Sequence, residues 1–324
     1  MNPRVSVIIP SYNHALYLRE CIESVIWQSF QDWELLIIDD LSSDDSLAVA
    51  KRFTDPRIRV AQNAENMGTY ATQNVGIDMA KGEFIAILNS DDVWLPRKLQ
   101  LQIEVLEGCP ECTFSYTAGQ LVDEDGDRVA GDADNHADYP RDPVQNLLPF
   151  LLFENRVLAS SVMFRKSATR FNGALRYSGD WAALLSLASK GPAAYVAESV
   201  TVWRQHPENS YTRLLKVLPE EIAMREAILA KADEWRLSNN PEEVNRRLAQ
   251  CAIALAAIYI RAGKKHRARE VAKLASKFDP KSRRARALYV LSVVPGSVAR
   301  QRLWKQSKML QIELAGAVDL MVEG

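Results

Sequence analysis

The chain has 324 residues, 47% hydrophobic and 25% charged, enough apolar side chain for one large core or two smaller ones, which excludes a disordered or collagen-like polymer. Its four cysteines, Cys21, Cys109, Cys112 and Cys251, are too few and too scattered for a disulfide-stapled secreted scaffold, so a reducing, cytoplasmic location is expected. The net charge of −1 conceals an asymmetry: over residues 261–310 fifteen Lys or Arg stand against Glu270 and Asp279 alone, leaving 25 basic and 39 acidic residues elsewhere. That division suits an acidic body beside a basic surface for anionic lipid or another polyanion, and equally a solvated helical face.

Residues 1–10 carry one Arg and a short apolar run, without the apolar stretch and cleavage site of an export signal. The longest apolar runs, 251–260 and 287–295, fall short of the roughly 18 to 20 residues that span a bilayer. Strands are predicted at 5–9, 35–39, 58–61 and 84–88. Between them come a helix at 15–28, one opened by Ser42-Ser43-Asp44-Asp45, and one at 70–80 before Gly82. Each strand is a nearly continuous apolar run, as expected when helices cover both faces of a mainly parallel sheet. Polar residues gather at the strands' carboxyl ends, where such sheets bind ligands: Pro10-Ser11-Tyr12-Asn13, Asp39-Asp40 and Asn89-Ser90-Asp91-Asp92.

Pro96 suits the first turn of a helix to about 107, and 113–122 is the next strand. The acidic, Gly- and Pro-containing stretch 123–142 is expected to be an exposed loop and a candidate lid. A strand at 160–164, a helix at 180–189 closed by Gly191-Pro192 and a strand at 194–203 complete a first domain ending near 215. Residues 216–324 are Ala-, Leu- and Arg-rich with helical spacing, broken at Asn239-Asn240-Pro241, Gly263, Asp279-Pro280 and Pro295-Gly296. Residues 254–280 resemble one tetratricopeptide-type hairpin, with Ala256 and Ala268 where helices approach; one such unit cannot bury its own face.

Asp91 and Asp92 directly follow an apolar strand, where unpaired carboxylates are penalised. A divalent cation, Mg²⁺ or Mn²⁺, explains them, since such ions use one or two carboxylates plus substrate phosphates. Helix capping ahead of Pro96 is the plainer alternative. Cys109-Pro110-Glu111-Cys112 has zinc-knuckle spacing without a second ligand pair and reads as a turn before a strand. No Gly-x-Gly-x-x-Gly follows the first strand and no Gly-Lys-Ser/Thr loop occurs, which argues against a dinucleotide oxidoreductase or a P-loop NTPase.

The ordered strings Val5-Ser6-Val7-Ile8-Ile9-Pro10-Ser11-Tyr12-Asn13, Ser24-Val25-Ile26-Trp27-Gln28-Ser29-Phe30, Trp33-Glu34-Leu35-Leu36-Ile37-Ile38-Asp39-Asp40-Leu41-Ser42-Ser43-Asp44, Glu65-Asn66-Met67-Gly68, Asn74-Val75-Gly76-Ile77 and Asn89-Ser90-Asp91-Asp92 resemble family 2 glycosyltransferases of the GT-A fold over about residues 4–205. The resemblance implies an α/β GT-A domain at 1–215 with a mainly parallel central sheet, followed by the basic helical region. It implies that Pro10, Tyr12 and Asp40 line a nucleoside pocket, with the Tyr12 ring against the base and Asp40 accepting from base or ribose. Asn13, Gln73, Asn89 and Ser90 belong by the same resemblance to the nucleotide-sugar subsite, and Asp91, Asp92 and His206 to the metal. Asn89 stands where the family usually has its first Asp, Gln73 where many relatives have Arg, and Gly179 where the acid-Asp motif has its first acid. Asp180 is then the expected catalytic base, because an inverting transfer needs a carboxylate to take the acceptor hydroxyl's proton; helix capping is its plainer role. Trp203-Arg204-Gln205-His206 with Asn209-Ser210 resembles the family's closing segment, from which Arg204 or His206 would reach diphosphate or metal.

The function so implied is inverting, metal-dependent transfer of a sugar from a nucleotide-diphosphate sugar, a UDP-sugar first, to a glycan or lipid-linked acceptor in bacterial surface-polysaccharide or glycoconjugate assembly. No nucleic acid partner is expected. The location expected is cytoplasmic, with peripheral attachment to the cytoplasmic face of the inner membrane through the basic helices. The alternative is a catalytically weak nucleotide-sugar-binding scaffold that recruits partners through its tail. A sugar nucleotidyltransferase is a nearer rival, but no Gly-rich, basic triphosphate-gripping loop adjoins the first strand.

Overall fold

Two strands buried along their whole length open the chain, β1 (Val5–Ser11) and β2 (Trp33–Asp39), joined by α1 (Ala15–Ile26). The computed structural model describes residues 2–132, 139–207, 209, 214–237 and 240–293. Residues 133–138 of the expected acidic loop, Ser210, Asn239, the Pro295-Gly296 break and the basic positions from 300 onward lie outside the described residues. The chain divides into one unit of Met1–Leu151 and Asn155–Pro207 and a second of Leu152–Glu154 and Glu208–Gly324.

In the first unit the order continues with α2 (Ser46–Ala50), β3 (Ile58–Gln62), α3 (Thr69–Met79), β4 (Phe84–Ile87), β5 (Val93–Trp94), α4 (Lys98–Gly108), β6 (Phe114–Val122), β7 (Arg128–Asp132) and β8 (Val144–Gln145). Then come α5 (Leu148–Leu151), a 3₁₀ turn (Ala159–Ser161), β9 (Met163–Arg165), α6 (Gly179–Ala188) and β10 (Ala193–Arg204). The sheet order is β3-β2-β1-β4-β9-β6-β10-β5, with β7 on β6 and β8 on β10. The pairs β3-β2, β2-β1, β1-β4 and β6-β10 are parallel, while β9 runs antiparallel to both β4 and β6. On α1 the residues Leu18, Cys21, Ile22 and Val25 fall at i, i+3, i+4 and i+7, so one stripe covers the sheet and joins the core of Val7, Ile9, Leu35 and Ile37.

Three features differ from the sequence reading. The strand expected at 160–164 is a 3₁₀ turn followed by the short β9, because Ser161 Oγ donates back to the Leu158 carbonyl at 2.7 Å and Ser160 Oγ accepts from Asn89 N–H at 3.0 Å. The acidic stretch 123–142 begins as a hairpin, not a loop. Asp123 Oδ1 accepts from the N–H groups of Asp125 and Asp127 at 3.1 and 2.9 Å, and Gly126 takes φ +90°, so β7 folds back on β6. Cys109 and Cys112 form the expected turn, closed by Cys112 N–H to Cys109 O at 3.0 Å, and in addition carry a disulfide.

Lys98, at the start of α4, is fully buried, with its Nζ 3.5 Å from the centroid of the Trp94 ring and no hydrogen-bond partner among the described residues. Burial pushes this ammonium well below the usual lysine range. A depressed lysine subtracts stability below its unfolded pKa, and the deficit vanishes as pH rises through that value. Lys98→Met is therefore expected to stabilise the fold by about 1–2 kcal/mol at pH 7, the cation–π contact offsetting part of the gain. Thermal melts at pH 7 and pH 10 check this: the advantage should shrink at the higher pH, and a variant less stable than wild type at pH 7 would refute it.

The second unit comprises α7 (Leu214–Ala230), α8 (Ala232–Leu237), α9 (Pro241–Arg261), α10 (Lys265–Phe278) and α11 (Arg283–Val293). Asn240 caps α9 through Oδ1 to Glu242 N–H at 3.0 Å, Pro241 takes the first position, and Gly263, at φ +71°, turns the chain into α10. Ala256 and Ala272 are fully buried and share a core with Leu288 of α11, so the α9–α10 hairpin covers its apolar face with a third helix. The solvent side of this unit presents Lys264, Arg267, Lys273, Lys277 and Arg283. No helix among the described residues is long and apolar enough to cross a membrane.

Candidate active site

The carboxyl ends of β1 and β2 are tied together by their own loops. Asn13, at φ +54°, donates its N–H to Ser42 Oγ at 3.0 Å and accepts from Ser43 N–H at 2.8 Å. Neighbouring N–H groups of His14 and Ala15 bond Ser46 Oγ and Asp44 Oδ2, both at 2.9 Å. Pro10 is buried inside β1 opposite Ile38, whereas Tyr12 is 47% exposed and Leu41, at φ +61°, is 45% exposed.

Asp40 is buried and its carboxylate is already engaged. Oδ1 accepts from Asn63 Nδ2 and Met67 N–H, both at 2.8 Å, and Oδ2 from Gly68 N–H at 2.7 Å. Asp40 thereby holds the entry to α3, where Gly68 adopts φ +84° and carries the Arg176 side chain across the place a Cβ would fill. Asp39 accepts from Ser42 N–H and Gln62 Nε2, each at 3.0 Å on Oδ2, while its Oδ1 is buried without a partner among the described residues.

Beyond β4 the two adjacent acids are separated in role by their surroundings. Asp91 Oδ2 lies 3.1 Å from His206 Nε2. Burial alone would raise this carboxyl, but the His206 hydrogen bond and the neighbouring imidazoles outweigh it and hold Asp91 below the usual range. Asp92 is pushed well above that range by burial and by the Asp91 charge. Its Oδ2 meets Ser160 Oγ and its Oδ1 accepts from Arg204 N–H at 3.1 Å, so both oxygens serve the fold. His14 completes the Asp91 side: one ligand atom each from His14, Asp91 and His206 lies within 4.8 Å of the others. Ser90 Oγ, 2.8 Å from His14 Nδ1, fixes that ring, and Tyr17 flanks His206 at 4.9 Å between centroids. Asn89 is half-buried, its carbonyl accepting from Asp92 N–H.

The sequence reading omitted His14, although it directly follows the Ser11-Tyr12-Asn13 run. Asp92, expected beside the metal, stands outside this three-residue group. Arg204, a candidate for the diphosphate, has its buried guanidinium on Glu20 Oε2 at 2.5 Å, Asp91 O at 3.3 Å and Glu124 O at 3.2 Å.

Asp180 sits in the first turn of α6. Oδ1 accepts from Trp181 N–H at 2.8 Å and Tyr70 OH at 3.2 Å, and Oδ2 from Asn155 Nδ2 at 3.1 Å. Burial raises its carboxyl, and these hydrogen bonds pull back only part of the way. Beside it lies a mostly apolar cavity of about 20 Å³, room for a single water, lined also by Ala159 and by Gln73, whose buried Oε1 has no hydrogen-bond partner among the described residues. The turn Ala159–Ser161 thus separates Asp180 from the Asn89–Asp92 segment, Ala159 on one side and Ser160 on the other.

Residues 6–128 match the model of Glycosyl transferase family 2. Over 102 residues the chain is 40% identical to an Escherichia coli protein named UDP-Glc:alpha-D-GlcNAc-diphosphoundecaprenol beta-1,3-glucosyltransferase WfgD, a match covering 32% of this chain and 40% of that protein. The chain spans half or less of the length of the first curated relatives it matches, 50%, 40% and 47%. Among solved structures, S. aureus TarS residues 1–349 in complex with UDP-GlcNAc superposes with TM-score 0.62 at 15% identity, covering 93% of this chain and 92% of that one. Mannosyltransferase PcManGT from Pyrobaculum calidifontis, in complex with GDP-Man and Mn²⁺, gives 0.59 at 16% identity, covering 100% and 87%. Likeness at this identity carries the fold alone, and that fold is GT-A.

Proposed function

We propose that the chain catalyses inverting transfer of a sugar from a nucleotide-diphosphate sugar to an acceptor hydroxyl, in bacterial surface-polysaccharide or glycoconjugate assembly. The observation that carries this reading is the contrast between two carboxyl groups of the first unit, Asp91 and Asp180. An ionised Asp91 faces two imidazoles, while the uncharged surroundings of Asp180 suit a group that takes a proton.

Two imidazole nitrogens and one carboxylate oxygen fit a divalent cation, and the nitrogen share favours Mn²⁺ over Mg²⁺, which prefers oxygen throughout. His14, Asp91 and His206 would hold it, with Ser90 fixing the His14 ring. A cation bound there supplies positive charge against the leaving diphosphate. Tyr12, exposed at the end of β1, offers its ring face to the base, and Asp40 fixes the loop beside it. Asp180 accepts the proton of the attacking acceptor hydroxyl, and inversion at the anomeric carbon then requires no covalent intermediate on the protein. A UDP-sugar is the donor we favour, supported by the activity that the name of WfgD carries and by the ligand of TarS. A lipid-linked acceptor is supported by the WfgD name and by the basic side of the helical unit, which would also attach the protein to anionic membrane.

Nucleotide release from a panel of UDP-, dTDP- and GDP-sugars, with Mn²⁺ or with EDTA, tests the reading. Metal-dependent release from one donor is expected, rising when lipid-linked acceptor is supplied in phosphatidylglycerol vesicles. No release from any donor with either ion and with acceptor present would overturn the transferase. Failure to sediment with those vesicles at low salt would remove the membrane contact alone.

A further inference from the structure

Residue 179 is glycine where the family resemblance leads one to expect an acid, and the packing around it supplies a reason. A Cβ built on Gly179 would lie 2.4, 2.5 and 2.8 Å from three atoms of the Tyr70 ring, so no side chain fits there without displacing that ring. Tyr70 is 8% exposed and stacks on Phe171 with 5.9 Å between centroids. Its hydroxyl reaches Asp180 Oδ1 and the Tyr177 carbonyl, each at 3.2 Å. When Asp180 is ionised the carboxylate is the stronger acceptor of the single phenolic proton. The place of the phenol is fixed from the far side too: Tyr70 lies in the first turn of α3, whose entry at Met67 and Gly68 is bonded to Asp40.

Building on the proposed role of Asp180 as base, we infer that Tyr70 is its positioning residue, and that the glycine at 179 is the counterpart of that tyrosine and not a mark of lost chemistry. The groups that meet the carboxylate are the Tyr70 phenol from α3, the Asn155 amide from the segment before the 3₁₀ turn, and the N–H of Trp181 on its own helix. Gln73, Ala159, Phe171, Ala183 and Leu184 line the space beside it. None of these is charged. A second acid at 179 would hinder ionisation of Asp180, whereas a neutral donor assists it and fixes the rotamer.

The test uses the full chain with ¹³C-labelled aspartate carboxyls, titrated by NMR as wild type, Tyr70→Phe and Gly179→Ala, with Asp180→Asn assigning the resonance. Loss of one hydrogen bond to an ionised acceptor is worth about one pH unit, so the Asp180 midpoint should rise by about that much in Tyr70→Phe, and rise also in Gly179→Ala. In Mn²⁺-dependent hydrolysis of UDP-Glc or UDP-GlcNAc, Tyr70→Phe should shift the acid limb of kcat upward equally. Its KM should stay within about twofold of wild type, since the phenol acts through Asp180 and not on the donor. A folded Tyr70→Phe protein with an unmoved Asp180 midpoint would overturn the inference. The titration needs no donor, so a wild type that turns over no sugar nucleotide would count against the transferase reading and leave the Tyr70 result to be judged separately.

Discussion

Asp180→Asn is expected to lose about 10²- to 10⁴-fold in transfer rate, the range typical of a missing general base, while the fold survives. The amide oxygen of the variant can still accept from Tyr70 OH and Trp181 N–H. Its amide nitrogen would face Asn155 Nδ2, donor against donor, and Asn155 is held in its present orientation by Oδ1 accepting from Val157 N–H at 2.9 Å. That mismatch is a cost of about 1 kcal/mol. It is offset because burial already holds the Asp180 carboxyl above its usual range. An acid raised on folding contributes stability below its unfolded pKa and loses it as pH rises through the folded value, so at pH 7 the ionised group is a burden that Asn removes. The melting temperature at pH 7 should therefore stay within a few degrees of wild type while product formation collapses. The rate–pH profile supplies a second readout: wild-type activity falls on acidification as Asp180 takes up a proton, and the residual activity of the variant should lack that limb. A variant that keeps more than a tenth of wild-type transfer would remove Asp180 from the mechanism.

Asp91→Ala should abolish binding of Mn²⁺, while Asp92→Asn should leave it within a few-fold of wild type. Asp91 is the one anion in the group with His14 and His206, and its removal leaves two neutral donors for a divalent ion. The expected weakening exceeds the roughly 10- to 100-fold that losing an outer partner of a metal ligand costs. Asp92 has both oxygens committed to Ser160 and to Arg204 N–H, and an amide can meet both by accepting from Arg204 N–H and donating to Ser160 Oγ. Titration of Mn²⁺ followed by electron paramagnetic resonance, with melting curves of each variant, separates the pair. Equal loss in both variants would mean that the two carboxylates ligate together. Binding undiminished in Asp91→Ala would place the ion elsewhere.

How much of this was legible beforehand depended on the range of the interaction. Strands β1, β2 and β4 announced themselves because burial on both faces demands unbroken apolar runs, and the polar strings after them marked the ligand edge of the sheet. Asp180 was visible as an acid opening a helix. The hydrogen bond it accepts from the Tyr70 phenol, 110 residues away, was not. His14 lies 76 residues from the Ser90 that orients it, and only the folded sheet brings both to His206. The separate tasks of Asp91 and Asp92 were equally hidden, since two neighbours in sequence point to different partners across the strand end. The β6–β7 hairpin was missed for a local reason. Its Asp-Glu-Asp-Gly-Asp turn is so polar that composition suggested a loop, although an Asp-Gly turn between two extended runs is itself a hairpin signal.

The way Arg204 is anchored bears on how the protein is made. Its guanidinium joins Glu20, 184 residues earlier, to the carbonyl of Asp91 and to Glu124 at the hairpin turn, and its backbone N–H holds Asp92. During synthesis from the N-terminus, β1 to β4 can pair with one another as soon as they emerge, and the free side of β4 waits for β9. The group of His14, Asp91 and His206 cannot assemble until Arg204 and His206 arrive, so a nascent chain stalled before about residue 200 holds a half-sheet without it. That group therefore forms late, with the last strand of the unit.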